Sequence, residues 1–121
     1  MMDVLLTEPE KMFRQQMRDF VEDEIVPCAE EWDRRNELAY EAFQKMASVG
    51  LTGLTIPKEY GGQGGSLMDA YLMSIELARS SIAIASIIGT HLGLALSGLY
   101  NFGNEDQRQR FVAPAAKGEK L

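Results

Sequence analysis

One histidine, one cysteine and a cluster of glycines are the residues whose types and spacing could do chemistry here. His91 has no second histidine to share a metal with, and no HExxH or CxxC spacing occurs. Its imidazole could serve as a general base or line a pocket. No Ser or Cys nucleophile with an acidic orienter accompanies it, so the plainer reading is a hydrogen-bonded interior histidine. Cys28, between Pro27 and Ala29, reads as a small buried hydrophobe rather than a thiolate nucleophile. Glu22-Asp23-Glu24 and Glu30-Glu31 read as solvated helix faces, with no carboxylate marked out as an acid or base. Gly61, Gly62, Gly64 and Gly65, with Lys58 nearby, could cradle a phosphate. However, no GK[ST] follows, no strand precedes, and Leu67 takes the last position of a GxGxxG frame. A tight turn delivering the chain into a helix explains them better.

The elements that must position these residues are organised around Ser80–Asn104, which contains no Asp, Glu, Lys or Arg. A run that is apolar all round belongs inside something. Its length suits a membrane, and Gly89, Gly93 and Ser97 make a small-xxx-small series. Against a span stand Ser81, Ser86, Thr90, His91, Ser97 and Asn101 along its length, and the lack of a Lys/Arg cluster at either end. A central buried helix of a soluble bundle is the expectation, with glycines that let a neighbour or a ligand come close.

Before it, Thr7 and Glu10 form a capping box with Pro9 in the first turn. Phe13, Met17, Phe20, Val21 and Ile25 then make one apolar stripe of a helix reaching about Trp32. Pro27 should kink or break it. A short helix over about 39–49 turns Phe43, Met46 and Ala47 inward, and Gly50 is placed for a left-handed cap. Ser66 and Asp69 cap a third helix running to about Arg79, with Leu67, Ala70, Tyr71, Ser74, Leu77 and Ala78 as its main face and Leu72, Met73 and Ile75 on the other side, so that it too is expected to be buried widely. Asn104 and Gln107 cap a last one, which Pro114 shortens or bends and Gly118 closes. The expected fold is all-α, a five-helix up-and-down-like bundle with a central buried helix. Three amphipathic helices hardly cover two apolar ones, so one face of the central pair is left for another domain or subunit.

The 121 residues amount to one domain. With 18 acidic against 12 basic side chains, the net charge of −6 argues against nucleic acid or an anionic membrane surface as partner. A single cysteine excludes an internal disulfide and suits a reducing compartment. The N-terminus shows no signal-peptide pattern, so a cytoplasmic location is expected.

Four stretches, in order and at matching spacing, resemble the acyl-CoA dehydrogenase family. LTEPEKMFRQQMRDFVEDEIVPCAEEWDR is similar to that family's first helix. MASVGLTGLTIPKEYGGQGGS resembles its second helix and glycine loop, IELARSSIAIASIIGTHLGL its "E-E-L-A" helix and the buried helix after it, and FGNEDQRQRFVAPAAKGEKL its closing stretch. The resemblance covers nearly the whole chain from Leu6 and implies the N-terminal helical domain of a three-domain enzyme. Such enzymes remove two hydrogens across the Cα–Cβ bond of an acyl-CoA thioester. A glutamate takes the α proton, the β hydride passes to FAD, and an electron-transferring flavoprotein collects the electrons. They are usually tetramers. By the same resemblance, the glutamate and the β domain that holds much of the flavin lie beyond Leu121, and 1–121 carries no catalytic residue. It supplies a wall of the acyl-chain pocket, at positions corresponding to Ile87, Thr90, His91 and Leu94. His91 is unusual for a plainly aliphatic wall, and Gly89 and Gly93 could make room for a bulky or branched acyl group. The alternatives are the same domain in an acyl-CoA oxidase or a nitroalkane oxidase, a non-catalytic helical oligomerisation module, or a membrane-anchored helical protein.

Overall fold

A computed structural model describes residues 2–121 as an all-α bundle of five helices, with no strand among the described residues. Helix α1 covers 8–35, α2 Tyr40–Ser48, α3 Leu67–Ser80, α4 Ile82–Phe102 and α5 105–116. Helix α1 packs along α3. Helix α4 lies between α3 on one side and α2 and α5 on the other.

The expected start signals operate. Glu10 accepts the backbone N–H and the hydroxyl of Thr7 at 2.7 and 2.8 Å. Ser66 with Asp69, and Asn104 with Gln107, exchange bonds reciprocally at the starts of α3 and α5. Gly50 takes φ +81°, the left-handed cap anticipated from its position. Between α3 and α4 the break is a single extended residue, Ser81, whose hydroxyl accepts the Ile84 N–H.

Neither proline breaks its helix. In α1 the turn Val21–Ile25 is widened, so that the Val26 N–H reaches back five residues to the Val21 carbonyl. In α5 the widened turn Arg108–Val112 does the same, from Ala113 to Arg108. Each ends two residues before its proline, Pro27 or Pro114. An extra residue in the turn takes up the missing N–H and the ring without ending the helix.

The core joins Met17, Val21, Ile25 and Trp32 of α1, Ala42 and Met46 of α2, Met73 and Leu77 of α3, and Ile84, Ile88, Leu92 and Leu96 of α4. Burial of α4 is one-sided. Its inward stripe recurs every four residues, while Ile82 and Leu94 stand exposed on other faces. A strict four-residue repeat drifts around a 3.6-residue helix, and the widened turn Thr90–Leu96 offsets part of that drift.

Helix α3 is buried on its second side more than on its expected main face, of which Leu77 alone is fully buried. Leu72, Met73, Glu76 and Leu77 are buried, whereas Leu67, Tyr71 and Ala78 face outward. The expected inner face did not include Glu76. In the fold this carboxylate is the most deeply set charge of the helix, and its burial rotates the rest.

Candidate functional site

Helix α4 presents two surfaces that could meet a ligand. Ile87, Thr90 and Leu94 stand three and four residues apart, a spacing that gathers them on one side. Thr90 is exposed, Leu94 is 74% exposed, and Ile87 is half-buried. On the neighbouring flank Gly89, Gly93 and Ser97 form the floor of a cleft of about 530 Å³. Its opposite wall is Leu67, Ala70, Tyr71 and Ser74 of α3, and Ile56, Gly65, Tyr100 and Asn101 also line it. Leu67, Ala70 and Tyr71, which the pattern turns inward, are thus the lip of a cleft, whereas Leu77 is in the core. None of the four wall positions lines it. A Cβ placed on Gly89 or Gly93 would meet nothing within 4 Å. Nothing inside this domain requires glycine at either place.

His91 does not share the exposure of Thr90 and Leu94. It is 5% exposed, with its ring edge against Phe43 at a centroid distance of 5.0 Å. Its Nε2 lies 3.1 Å from both the Thr52 and the Ala115 carbonyl oxygens. Two acceptors require that Nε2 carry the hydrogen and donate it to both. Burial pushes the imidazole below its ordinary pKa, against the opposing pull of the Ala115 and Thr52 carbonyls. The ring is therefore neutral at pH 7, and its Nε2–H is spent on the backbone rather than offered to a substrate. This is the interior, hydrogen-bonded histidine that the bare sequence favours.

The charge centre of the domain was not singled out by the sequence reading. Glu76, 1% exposed, accepts from Arg14 Nε at 3.0 Å, from Arg18 Nε and Nη2 at 3.2 and 3.1 Å, and from Arg79 Nη1 at 2.7 Å. Burial alone would raise its pKa, but the hydrogen bonds from Arg18, Arg14 and Arg79 outweigh it and hold the carboxyl at about 2. The available signal was a lone Glu between Ile75 and Leu77, with Arg79 one turn on and Arg14 and Arg18 a turn apart in α1.

The glycine loop is a structural knot. The N–H groups of residues 61–65 all donate to carbonyls within 53–58, at 2.7 to 3.1 Å. A Cβ on Gly62 would sit 2.0 Å from the Ile56 oxygen. Tyr60 donates its hydroxyl to Glu105 at 2.7 Å and sets its ring edgewise against Tyr100, which ties the loop to α5. With those amides used internally and the starts of α1, α3 and α5 capped by their own side chains, these residues do not fit the pyrophosphate of a dinucleotide such as FAD. Cys28 is free and half-buried. No group of three metal-ligating side chains occurs among the described residues. Helix Ile82–Phe102 is long and apolar enough to cross a membrane by length and composition, but its inward stripe and His91 are engaged by the bundle.

Comparison with known proteins adds a family match, two relatives and two solved structures. The family model "Acyl-CoA dehydrogenase, N-terminal domain" matches residues 7–119. The chain is 38% identical over 120 residues to acryloyl-CoA reductase (NADH) of Anaerotignum propionicum, covering 99% of this chain and 30% of that protein. It is 35% identical to the short-chain specific acyl-CoA dehydrogenase of Clostridium acetobutylicum, covering 99% and 32%. Among solved structures, butyryl-CoA dehydrogenase of Megasphaera elsdenii superposes with a TM-score of 0.85 at 28% identity, over 96% of this chain and 31% of that one. A chain in the structure described as the electron transferring flavoprotein of Acidaminococcus fermentans superposes at 0.89 and 29% identity, over 96% and 30%. The chain thus spans about a third of the length of these relatives.

Proposed function

Because the chain belongs to the acyl-CoA dehydrogenase family as its N-terminal helical domain, we propose that it works within a longer FAD-dependent enzyme that converts an acyl-CoA thioester to the trans-2-enoyl-CoA. Its part is to bind and shape rather than to react. Thr90 and Leu94, with Ile87 beside them, form the side of α4 against which the acyl chain lies. The observation that carries this reading is that a helix of 21 residues without Asp, Glu, Lys or Arg keeps this side open while its other side is packed. His91 stands behind that surface, so the wall on this reading is three residues, with His91 as its support. The open flank at Gly89 and Gly93 leaves room for a bulky or branched acyl group.

The reading extends to a homotetramer, an electron-transferring flavoprotein as redox partner, and a cytoplasmic setting that the free Cys28 suits. The flavin is held by residues outside this domain. A second reading is favoured by the relative named acryloyl-CoA reductase: the longer protein runs the same bond change towards the saturated acyl-CoA. The two directions share the same wall and differ in electron partner. The test is anaerobic addition of butyryl-, octanoyl- and isovaleryl-CoA, and then of the enoyl-CoAs, to the complete protein. Oxidation predicts bleaching of the flavin absorbance by at least one saturated thioester. Reduction predicts reoxidation of the reduced flavin by an enoyl thioester. Neither response, with flavin bound, refutes both readings.

A further inference from the structure

Building on the reading above, we propose that His91 is a positioning residue for acyl-chain discrimination, setting where Thr90 and Leu94 stand by tying the middle of α4 to the end of α5 and to the turn after α2. The tie is a built polar knot. His91 Nε2–H is shared between the Thr52 and Ala115 carbonyls, and the fully buried Thr52 donates its own hydroxyl to the Ala116 carbonyl at 2.9 Å. The final carbonyls of a helix have no intrahelical partner, so side chains of two other elements complete this end of α5.

The second observation is the widened turn Thr90–Leu96. The other two widened turns each precede a proline, but this one has none near it. At this place His91 and Leu92 are both turned inward, while Thr90 and Leu94 on either side of them face out. A buried donor held by two carbonyls therefore fixes the register of the turn that carries the outward residues. Small displacements of a binding wall are felt in turnover because a reacting bond must sit within a fraction of an ångström of its place.

The experiment measures kcat/KM of the complete enzyme for butyryl-, octanoyl- and isovaleryl-CoA, with flavin content checked in each variant. His91→Gln keeps an N–H donor at similar reach, and His91→Leu keeps bulk without the donor. Glu76→Gln is a control that destabilises the domain far from α4's outer side. We expect the octanoyl-to-butyryl ratio to stay within about twofold of the parent in His91→Gln and Glu76→Gln, and to move by about fivefold or more in His91→Leu, the size of effect that a methylene-scale change in a pocket produces. The proposal is overturned if the His91→Leu ratio does not move, or if Gln or the control shifts it as far. Should His91→Leu yield no soluble flavoprotein, the comparison of Gln with the shorter Asn decides, with Asn alone expected to shift the ratio. A parent that acts on no acyl-CoA defeats the underlying reading as well. A parent that acts, with ratios unmoved in the variants, defeats this inference alone.

Discussion

Glu76 keeps its charge in a place where an unpartnered carboxyl would be neutral. Its shift from the ordinary 4.5 to about 2 corresponds to about 3 kcal/mol of folded-state stabilisation. A carboxyl with a depressed pKa stabilises fully above its unfolded value and loses that contribution as pH falls. Stability should therefore decline between about pH 4.5 and 2, and Glu76→Gln should flatten this limb. At pH 7 the same substitution should cost about 2–3 kcal/mol in urea unfolding, less than a fully buried pair because Arg18 and Arg79 remain partly exposed. A loss below about 0.5 kcal/mol would mean that the arginines do not hold the charge. His91 acts in the same direction higher on the scale. Its folded pKa lies below the unfolded one, so the unfolded chain takes up the proton first. Stability begins to fall below about pH 6.5, and His91→Gln should remove this upper phase while leaving the lower one. Retention of both phases in that variant would contradict a buried neutral imidazole.

Helix ends were the readable elements, because a cap is written in two residues three apart and needs no tertiary knowledge. The glycine loop was readable as a turn for the same reason. The inner face of α3 was readable in Leu72, Met73 and Leu77 but not in Glu76, since a pattern rule cannot see Arg14 and Arg18 arriving from a helix some sixty positions earlier. One helix through Pro27 and one containing Pro114 were expected, but the widened turns that accommodate the prolines were hidden, because such a turn has no residue signature of its own. The wall positions came from resemblance alone, and only the fold separates outward Thr90 and Leu94 from inward His91. Glycines behave differently by element. Gly62→Ala would drive a Cβ into the Ile56 carbonyl and should cost more than about 3 kcal/mol. Gly89→Ala and Gly93→Ala, in a helix with nothing near the added carbon, should each stabilise by about 0.5–1 kcal/mol. Urea unfolding of the three variants checks this, and a destabilised Gly93→Ala would show that α4 packs more closely than described.

The whole molecule is a bundle that closes around one side of its most apolar helix and leaves the other side and a glycine-floored cleft uncovered. Leu67 and Tyr71 at the cleft, and Ile82 and Leu94 on other faces of α4, are large apolar side chains left exposed by this helix pair. The chain belongs to a family whose members are about three times its length, and on the proposed function the rest of the enzyme and the acyl chain would complete the burial. The central claim is that α4's open side is the acyl wall. Its most direct test is the chain-length profile of kcat/KM for the complete enzyme carrying Leu94→Trp, an exposed position where a larger side chain leaves the core untouched. The account predicts that long or branched thioesters lose about tenfold or more relative to butyryl-CoA, with flavin content and unfolding midpoint unchanged. A profile parallel to the parent's at every chain length would contradict it.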